Sequence, residues 1–156
     1  MDRFDRELFL SEFHAHAVVA AGTFVGGPDI LYEWASDMHE QGQSATQHCR
    51  LNRWRELDGE LAHTETYYLF AARNRDATNW VAGGRYIDKL ERRGGTWKIA
   101  MRCNAIAWSG LLPTMPTPFT DVPGVTLNGI AARSKQDISY RRPLANKRDR
   151  HVPGKP

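Results

Sequence analysis

Two glycine-containing turns constrain the fold of this 156-residue chain more than any other feature. Asp58-Gly59 and Gly94-Gly95 each supply the positive φ that a two-residue hairpin turn requires. Each turn separates two long segments of strand character, and a looser link at residues 73–78 joins the two hairpins. The sequence therefore predicts four long antiparallel strands, at residues 47–57, 60–73, 80–92 and 96–108.

The N-terminal part of the chain predicts helices that pack against these strands. Apolar residues recur at helical spacing over residues 5–13, and small or β-branched residues over 14–21 predict an edge strand. A second amphipathic helix is predicted at residues 29–41. Gly83-Gly84 would allow the third long strand to bend. The predicted fold class is α+β: a cone with a strongly curved antiparallel sheet, whose concave face the N-terminal helices cover.

Composition and the positions of charged residues and prolines predict the kind of protein and its location in the cell. The chain is 41% hydrophobic and 25% charged, which is typical of a soluble domain. It has no apolar stretch of the roughly 20 residues that a membrane span needs, and five charged residues within positions 2–7 argue against a signal peptide. We therefore expect a cytoplasmic protein with no membrane partner. We expect a domain at residues 1–110, followed by a Pro-rich, basic extension at 111–156.

The charge distribution argues against a nucleic-acid partner. Residues 133–156 carry eight Lys or Arg and two Asp, a net charge of +6, so the rest of the chain carries −3 of the total +3. A nucleic-acid domain would carry its positive charge on a folded face instead. Cys49 and Cys103 are expected to be reduced thiols. His14 and His16 could share a metal on one strand face, but no third ligand is evident, so no metal site is predicted.

Several segments, in this order and at this spacing, resemble the SnoaL-like proteins of the nuclear transport factor 2-like superfamily. The resemblance covers about residues 2–108, and it implies the same α+β cone. A closing stretch from Asp137 to Leu144 resembles the C-terminal signature of a bacterial subgroup of this family. The segments that carry the resemblance are Phe13-His14-x-His16-Ala17-Val18, Gly26-Gly27-Pro28, Thr46-x-His48-x-x-x-Asn52, Leu57-Asp58-Gly59-Glu60-x-Ala62, Gly83-Gly84-Arg85-Tyr86-x-Asp88 and Arg92-x-x-Gly95-x-Trp97-x-Ile99-x-x-Arg102.

The family includes scytalone dehydratase, hexachlorocyclohexane dehydrochlorinase and the polyketide cyclases. The resemblance implies a catalytic His48 oriented by Asp2, with Arg102 as a group that stabilises negative charge. A neutral imidazole held by a carboxylate can take a proton from carbon. The residues expected to line the substrate space are Tyr86, Ala82, Thr64, Thr66 and Val19.

Each of these residues also has a structural alternative. His48 could be a half-buried strand histidine bonded to backbone, Arg102 could pair with Glu91 or Asp88 on the neighbouring strand, and Tyr86 could belong to the core. In the enzymes the matching Asp lies well inside the first helix, whereas Asp2 is the second residue here. We therefore expect either a truncated first helix and a start upstream of Met1, or no functional pair.

The motifs and the resemblance are compatible with two functions from different classes. The first is a cofactor-free acid–base enzyme, a dehydratase, eliminase or isomerase, that acts on a hydrophobic cyclic or aromatic small molecule in the cone. The alternative is a noncatalytic ligand-binding or assembly subunit like the β subunit of ring-hydroxylating dioxygenases. In either case we expect a homo-oligomer, a dimer or trimer, because family members commonly pair through the open sheet face.

Overall fold

The computed structural model describes residues 1–116 and 121–150. The chain divides into two compact units, Met1–Thr114 and Met115–Pro156. The first unit contains helices α1 (Arg6–Ser11) and α2 (Pro28–Gly42) and strands β1 (Phe13–Ala21), β2 (Phe24–Gly26), β3 (Gln43–Asp58), β4 (Leu61–Asn74), β5 (Asn79–Arg93) and β6 (Thr96–Leu112).

The six strands form one mixed sheet in the order β2-β1-β6-β5-β4-β3. The four long strands pair antiparallel, as the turns predicted. The expectation of a wholly antiparallel sheet was wrong, because β1 runs parallel to β6. The prediction of β1 as an edge strand was also wrong, since β1 lies between β2 and β6. Nothing local in the sequence of β1 encodes its pairing with a strand about 80 residues later, because parallel partners must meet through long connections.

Both hairpin turns form at the predicted glycines, although the first turn is Gly59-Glu60, because Asp58 still belongs to β3 and pairs with Leu61. Gly59 has a φ of 55°, and Gly94 and Gly95 have φ values of 57° and 80°. Asp5 caps α1, since its carboxylate accepts a hydrogen bond from the Leu8 N–H at 3.0 Å. The capped helix ends at Ser11, and Phe13 already begins β1, so α1 is shorter than predicted.

Alternation along β4 defines the two faces of the sheet. Every second residue from Ala62 to Ala72 is buried, and we call the face that carries these residues the inner face. Helix α2 packs on the same side, because the ring of His39 contacts the ring of Phe70. The opposite side is called the outer face, and Leu61, Tyr67 and Leu69 are exposed on it.

The core has two parts. One consists of residues from β1, β6 and α2: Phe13, Ala17, Val19, Leu31, Ala35 and Ile99. The other consists of Tyr68, Phe70 and Ala72 on β4 and Ala82 on β5. None of the helices in the described part of the chain has the length and apolarity that crossing a lipid bilayer requires.

The second unit contains turns and one short 3₁₀ helix, Ile138–Tyr140, among its described residues. Asp137 stabilises this turn, because its carboxylate accepts from the Ser139 N–H at 2.9 Å and from the Ala132 N–H at 2.7 Å.

Candidate active site

The side chains of Asp2 and His48 meet in two hydrogen bonds. Oδ1 of Asp2 lies 2.6 Å from Nδ1 of His48, and Oδ2 accepts from the His48 backbone N–H at 2.9 Å. Two bonds from one carboxylate to one residue fix both the position of the strand and the rotation of the ring. The pair that the sequence predicted therefore lies in direct contact, 46 positions apart in the chain.

The electrostatics of this contact favour an ionised carboxylate. Burial by itself would raise the pKa of Asp2, but the hydrogen bonds and the charge of His48 outweigh burial and hold that pKa well below its usual range. A carboxylate can only accept, so Nδ1 of His48 carries the proton in this contact. In the neutral ring, Nε2 is then left as the basic nitrogen, which is the tautomer that a general base needs.

Strand β3 presents His48 on the inner face. His48 pairs with Phe70 across β3 and β4, and the two rings lie 4.6 Å apart. The side chain of His48 is 26% exposed, so the ring is neither in bulk water nor sealed in the core. A partly exposed ring against an aromatic wall can reach a bound small molecule.

Arg102 is bound to the neighbouring strand. Its Nε and Nη2 each donate to Asp88 at 2.7 Å, a bidentate pair between directly paired residues of β5 and β6. Its side chain is 20% exposed and that of Asp88 is 7% exposed. The guanidinium also lies 4.5 Å from the centre of the Tyr86 ring. The structure thus shows the cross-strand pair that the sequence offered as the structural alternative.

Tyr86 lies between Arg102 and the core residue Tyr68. Its ring stacks on Tyr68 with a centroid distance of 4.5 Å. Burial raises the pKa of Tyr86 to about 12, although the nearby charge of Arg102 acts in the opposite direction. Tyr86 is therefore a neutral hydroxyl at physiological pH, able to donate a hydrogen bond but not to act as a base.

The other predicted lining residues are buried. Thr64, Thr66 and Ala82 lie on the inner face, and cross-strand pairing places Thr66 opposite Tyr86. Val19 is only 1% exposed and packs in the core with residues of α2. The structure thus brings the threonines and Ala82 to the face that carries His48, whereas Val19 lies within the packed core.

Sequence reasoning missed His39. This buried residue lies in the last turn of α2, and its ring centre is 6.1 Å from that of His48. Its Nδ1 donates to Oε1 of Gln43 at 2.6 Å. Helical spacing could have predicted that His39 is buried, because Leu31, Ala35 and His39 are four residues apart and share one helix face. A histidine on an apolar stripe points to the core beneath the helix.

One of the two histidines of β1 contacts the backbone of β5. His14 Nε2 lies 2.9 Å from the carbonyl oxygen of Glu91. Within residues 1–116 and 121–150, no three His, Cys, Asp or Glu side chains lie close enough together to hold a metal ion.

A six-stranded mixed sheet with short N-terminal helices agrees with the nuclear transport factor 2-like fold of the structural neighbours given below. Within this fold class, the chain belongs to the SnoaL-like domain family, whose model matches residues 1–103. The resemblance that the motifs indicated is thereby confirmed.

Solved structures agree with the fold assignment. A type 2 hexachlorocyclohexane dehydrochlorinase is 17% identical, with a TM-score of 0.67 over 75% of this chain and 84% of the other. A candidate scytalone dehydratase from Novosphingobium aromaticivorans DSM 12444 is also 17% identical, with a TM-score of 0.62 over 74% and 80%. A candidate aromatic ring hydroxylase from Novosphingobium aromaticivorans is 20% identical, with a TM-score of 0.62 over 72% and 82%. A search of curated proteins finds no match.

Proposed function

We propose that the protein is an acid–base enzyme that needs no cofactor, a dehydratase, eliminase or isomerase of a hydrophobic cyclic or aromatic small molecule. The observation that carries this proposal is the pair of hydrogen bonds between Asp2 and His48. The substrate would lie on the inner face, within the cone that the family fold implies. The dehydrochlorinase and the candidate scytalone dehydratase among the structural neighbours support an elimination.

In the proposed reaction, Nε2 of His48 takes a proton from a carbon atom of the substrate. The C–H electron pair forms the new double bond, and hydroxide or a halide leaves the adjacent carbon with its bonding pair. The imidazolium that forms is stabilised by the ionised Asp2. In an isomerisation, His48 would return the proton to another carbon instead.

Arg102 would stabilise negative charge only through its unbound nitrogen. Nε and Nη2 contact Asp88, which leaves Nη1 for a leaving group or an enolate oxygen. The neutral hydroxyl of Tyr86, beside the same guanidinium, would donate a second hydrogen bond.

Two substrate panels test the proposal. Dehydration of cyclic β-hydroxy ketones is followed as enone absorbance, and elimination from chlorinated cyclohexanes is followed as chloride release. Where one panel is turned over, His48→Ala is expected to lower kcat/KM by about 10²-fold or more, the usual loss for a general base. Asp2→Asn should lower it by at least about 10-fold, because the ring loses its orientation.

The matched control is His63→Ala. His63 is exposed on the outer face, where its ring lies 6.0 Å from that of Trp54. Its loss should leave turnover unchanged. Unchanged turnover in both His48→Ala and Asp2→Asn would refute the proposal.

The alternative, a noncatalytic assembly subunit, is favoured by one observation. Trp54, Tyr67 and Trp108 are large exposed side chains of the sheet, and apolar surface of this kind often marks a protein interface. An assembly subunit would co-purify in fixed stoichiometry with an iron-bearing partner encoded beside it. A protein that purifies alone and turns over a substrate would exclude this alternative.

A further inference from the structure

Three arginines of β3 have no acidic partner among the described residues. Arg50, Arg53 and Arg55 are exposed, and the ion pairs of residues 1–116 and 121–150 do not include them. By contrast, the guanidinium groups of Arg85 and Arg102 each contact a carboxylate on a neighbouring strand, and that of Arg92 contacts Glu60 in the turn before β4. Three guanidinium groups without a carboxylate partner on one strand create a local positive charge.

The register of β3 places all three arginines on the inner face. Arg50 pairs with Tyr68, Arg53 with Thr66 and Arg55 with Thr64, and all three partners on β4 are buried there. Directly paired residues of antiparallel strands share a face. His48, which pairs with Phe70, lies on the same face just before them.

A register shift makes this arrangement possible. Strict alternation would place Arg53 and Arg55 on the face opposite Arg50. The shift between Arg50 and Arg53 inserts one extra residue in β3, which returns the next arginines to the inner face. One contact confirms this orientation, because Nε of Arg53 lies 3.3 Å from Oγ1 of Thr66.

The three arginines of β3 differ from Arg102, which is already paired with a carboxylate. Its charge is largely neutralised by Asp88, whereas those of Arg50, Arg53 and Arg55 are not. Guanidinium groups bind carboxylates and phosphates through paired N–H donors, and exposed ones are available to a ligand.

We infer that Arg50, Arg53 and Arg55 form a subsite for an oxyanion, a carboxylate or a phosphate ester, at the end of the inner face beside His48. The substrate class becomes an anionic cyclic or aromatic molecule. Its apolar ring lies toward His48 and Phe70, and its anionic group lies toward the arginines. That the bound anion is the substrate rests on the proposed function. Whether the arginines bind an anion is measured by binding alone.

The test uses three probes of one shape: benzoate, phenyl phosphate and the neutral benzamide. Binding to the full chain is followed by NMR of the histidine ring and backbone signals. At least one anion should bind about tenfold or more tightly than benzamide, and benzoate against phenyl phosphate distinguishes the two oxyanions. The preferred anion should weaken as NaCl rises from about 0.05 to 0.3 M, because exposed charges are screened.

Substitution locates the subsite. The triple variant R50Q/R53Q/R55Q should bind the anions no more tightly than benzamide, and each single Arg→Gln change should weaken the preferred anion about threefold or more. The matched control is Arg73→Gln, which removes an exposed arginine on the outer face of β4 that lacks an acidic partner in the described chain. It should change affinity by less than about twofold.

Equal affinity of the three probes for the unaltered chain, or anion binding that survives the triple substitution, would overturn the inference. So would a single-stranded RNA oligonucleotide that binds more tightly than phenyl phosphate and depends on the same arginines, because the surface would then serve nucleic acid. The His48→Ala variant separates the two proposals. This variant should still bind the anions, because the arginines are unchanged. Anion binding therefore tests the subsite even if His48 proves not to be catalytic. Turnover of neutral substrates tests proton transfer by His48 even if the arginines bind no anion.

Discussion

At the scale of single residues, the Asp2–His48 contact combines a charge with two well-formed hydrogen bonds. Asp2 is followed by a short helix and His48 lies in β3, so the contact also ties the start of the chain to the sheet. The family resemblance predicted the pair, whereas composition and periodicity did not. The distance of 2.6 Å shows that the two groups meet. Their catalytic roles stay predictions.

The contact predicts a change in how stability depends on pH. The pKa of Asp2 is lowered in the folded protein, so the unfolded chain takes up this proton first as the pH falls. The stabilisation is therefore complete above about pH 5 and is lost progressively below about pH 4. Urea unfolding measured from about pH 5 down to about pH 3 should show a smaller loss of stability for Asp2→Asn than for the unaltered chain.

Glu56→Gln is the control for this measurement. Glu56 is an exposed carboxylate of β3 that makes no ion pair within the described residues. Its acid dependence should match that of the unaltered protein. Identical acid dependence for Asp2→Asn would show that the contact contributes nothing to folding.

Arg102 illustrates what a sequence leaves open at this scale. A strand arginine can bind a ligand or a neighbouring carboxylate, and the residue types allow both. Pairing of β5 with β6 places Asp88 directly opposite, and the bidentate contact follows. The choice depends on a cross-strand register that no local pattern fixes.

At the scale of elements, Gly83 and Gly84 mark an irregularity in β5. The register with β6 shifts between them. The sequence predicted that this pair would allow β5 to bend. The structure gives the physical reason at Gly84, where a Cβ would overlap the Ala105 carbonyl oxygen and lie 2.9 Å from the Tyr68 hydroxyl.

Gly84→Ala is therefore expected to destabilise the protein by about 3 kcal/mol, the upper range for overpacking, because the backbone oxygen cannot move aside. Gly110→Ala on β6 is the matched control, since an added Cβ there meets no atom within 4 Å. It should change stability by no more than about 0.5 kcal/mol. Thermal or urea unfolding of the two variants checks this, and equal stabilities would contradict the close approach at Gly84.

At the scale of the whole first unit, the outer face of the sheet carries several large exposed apolar and aromatic side chains. Trp54, Tyr67, Leu69 and Trp108 are exposed there, and the Trp108 ring lies against Gly83. An apolar surface of this kind favours self-association. We propose that two or three copies of the chain pair through it, as the sequence led us to expect.

Trp108→Lys tests this assembly. Sedimentation velocity should show a dimer or trimer for the unaltered chain and a monomer for the variant, because a buried unpaired charge at an interface is costly. Ile30→Lys is the control, as Ile30 is an exposed apolar residue of α2 and not of the outer face. It should leave the assembly intact, and a monomeric unaltered chain would disprove the proposal.

Features that depend on neighbours a few residues apart could be predicted from the amino-acid sequence. The glycine turns at 59 and 94–95, the alternation of β4 and the apolar stripe of α2 are local, because φ preference and side-chain periodicity act over two to four residues. The order of the motifs was sufficient to assign the family. Local patterns did not predict the parallel pairing of β1 with β6, the approach of His39 to His48, or the position of Arg53 and Arg55 on the same face as Arg50. Each depends on how distant segments are aligned with one another. A register shift of one residue between two strands moves the side chains of one strand to the opposite face of the sheet.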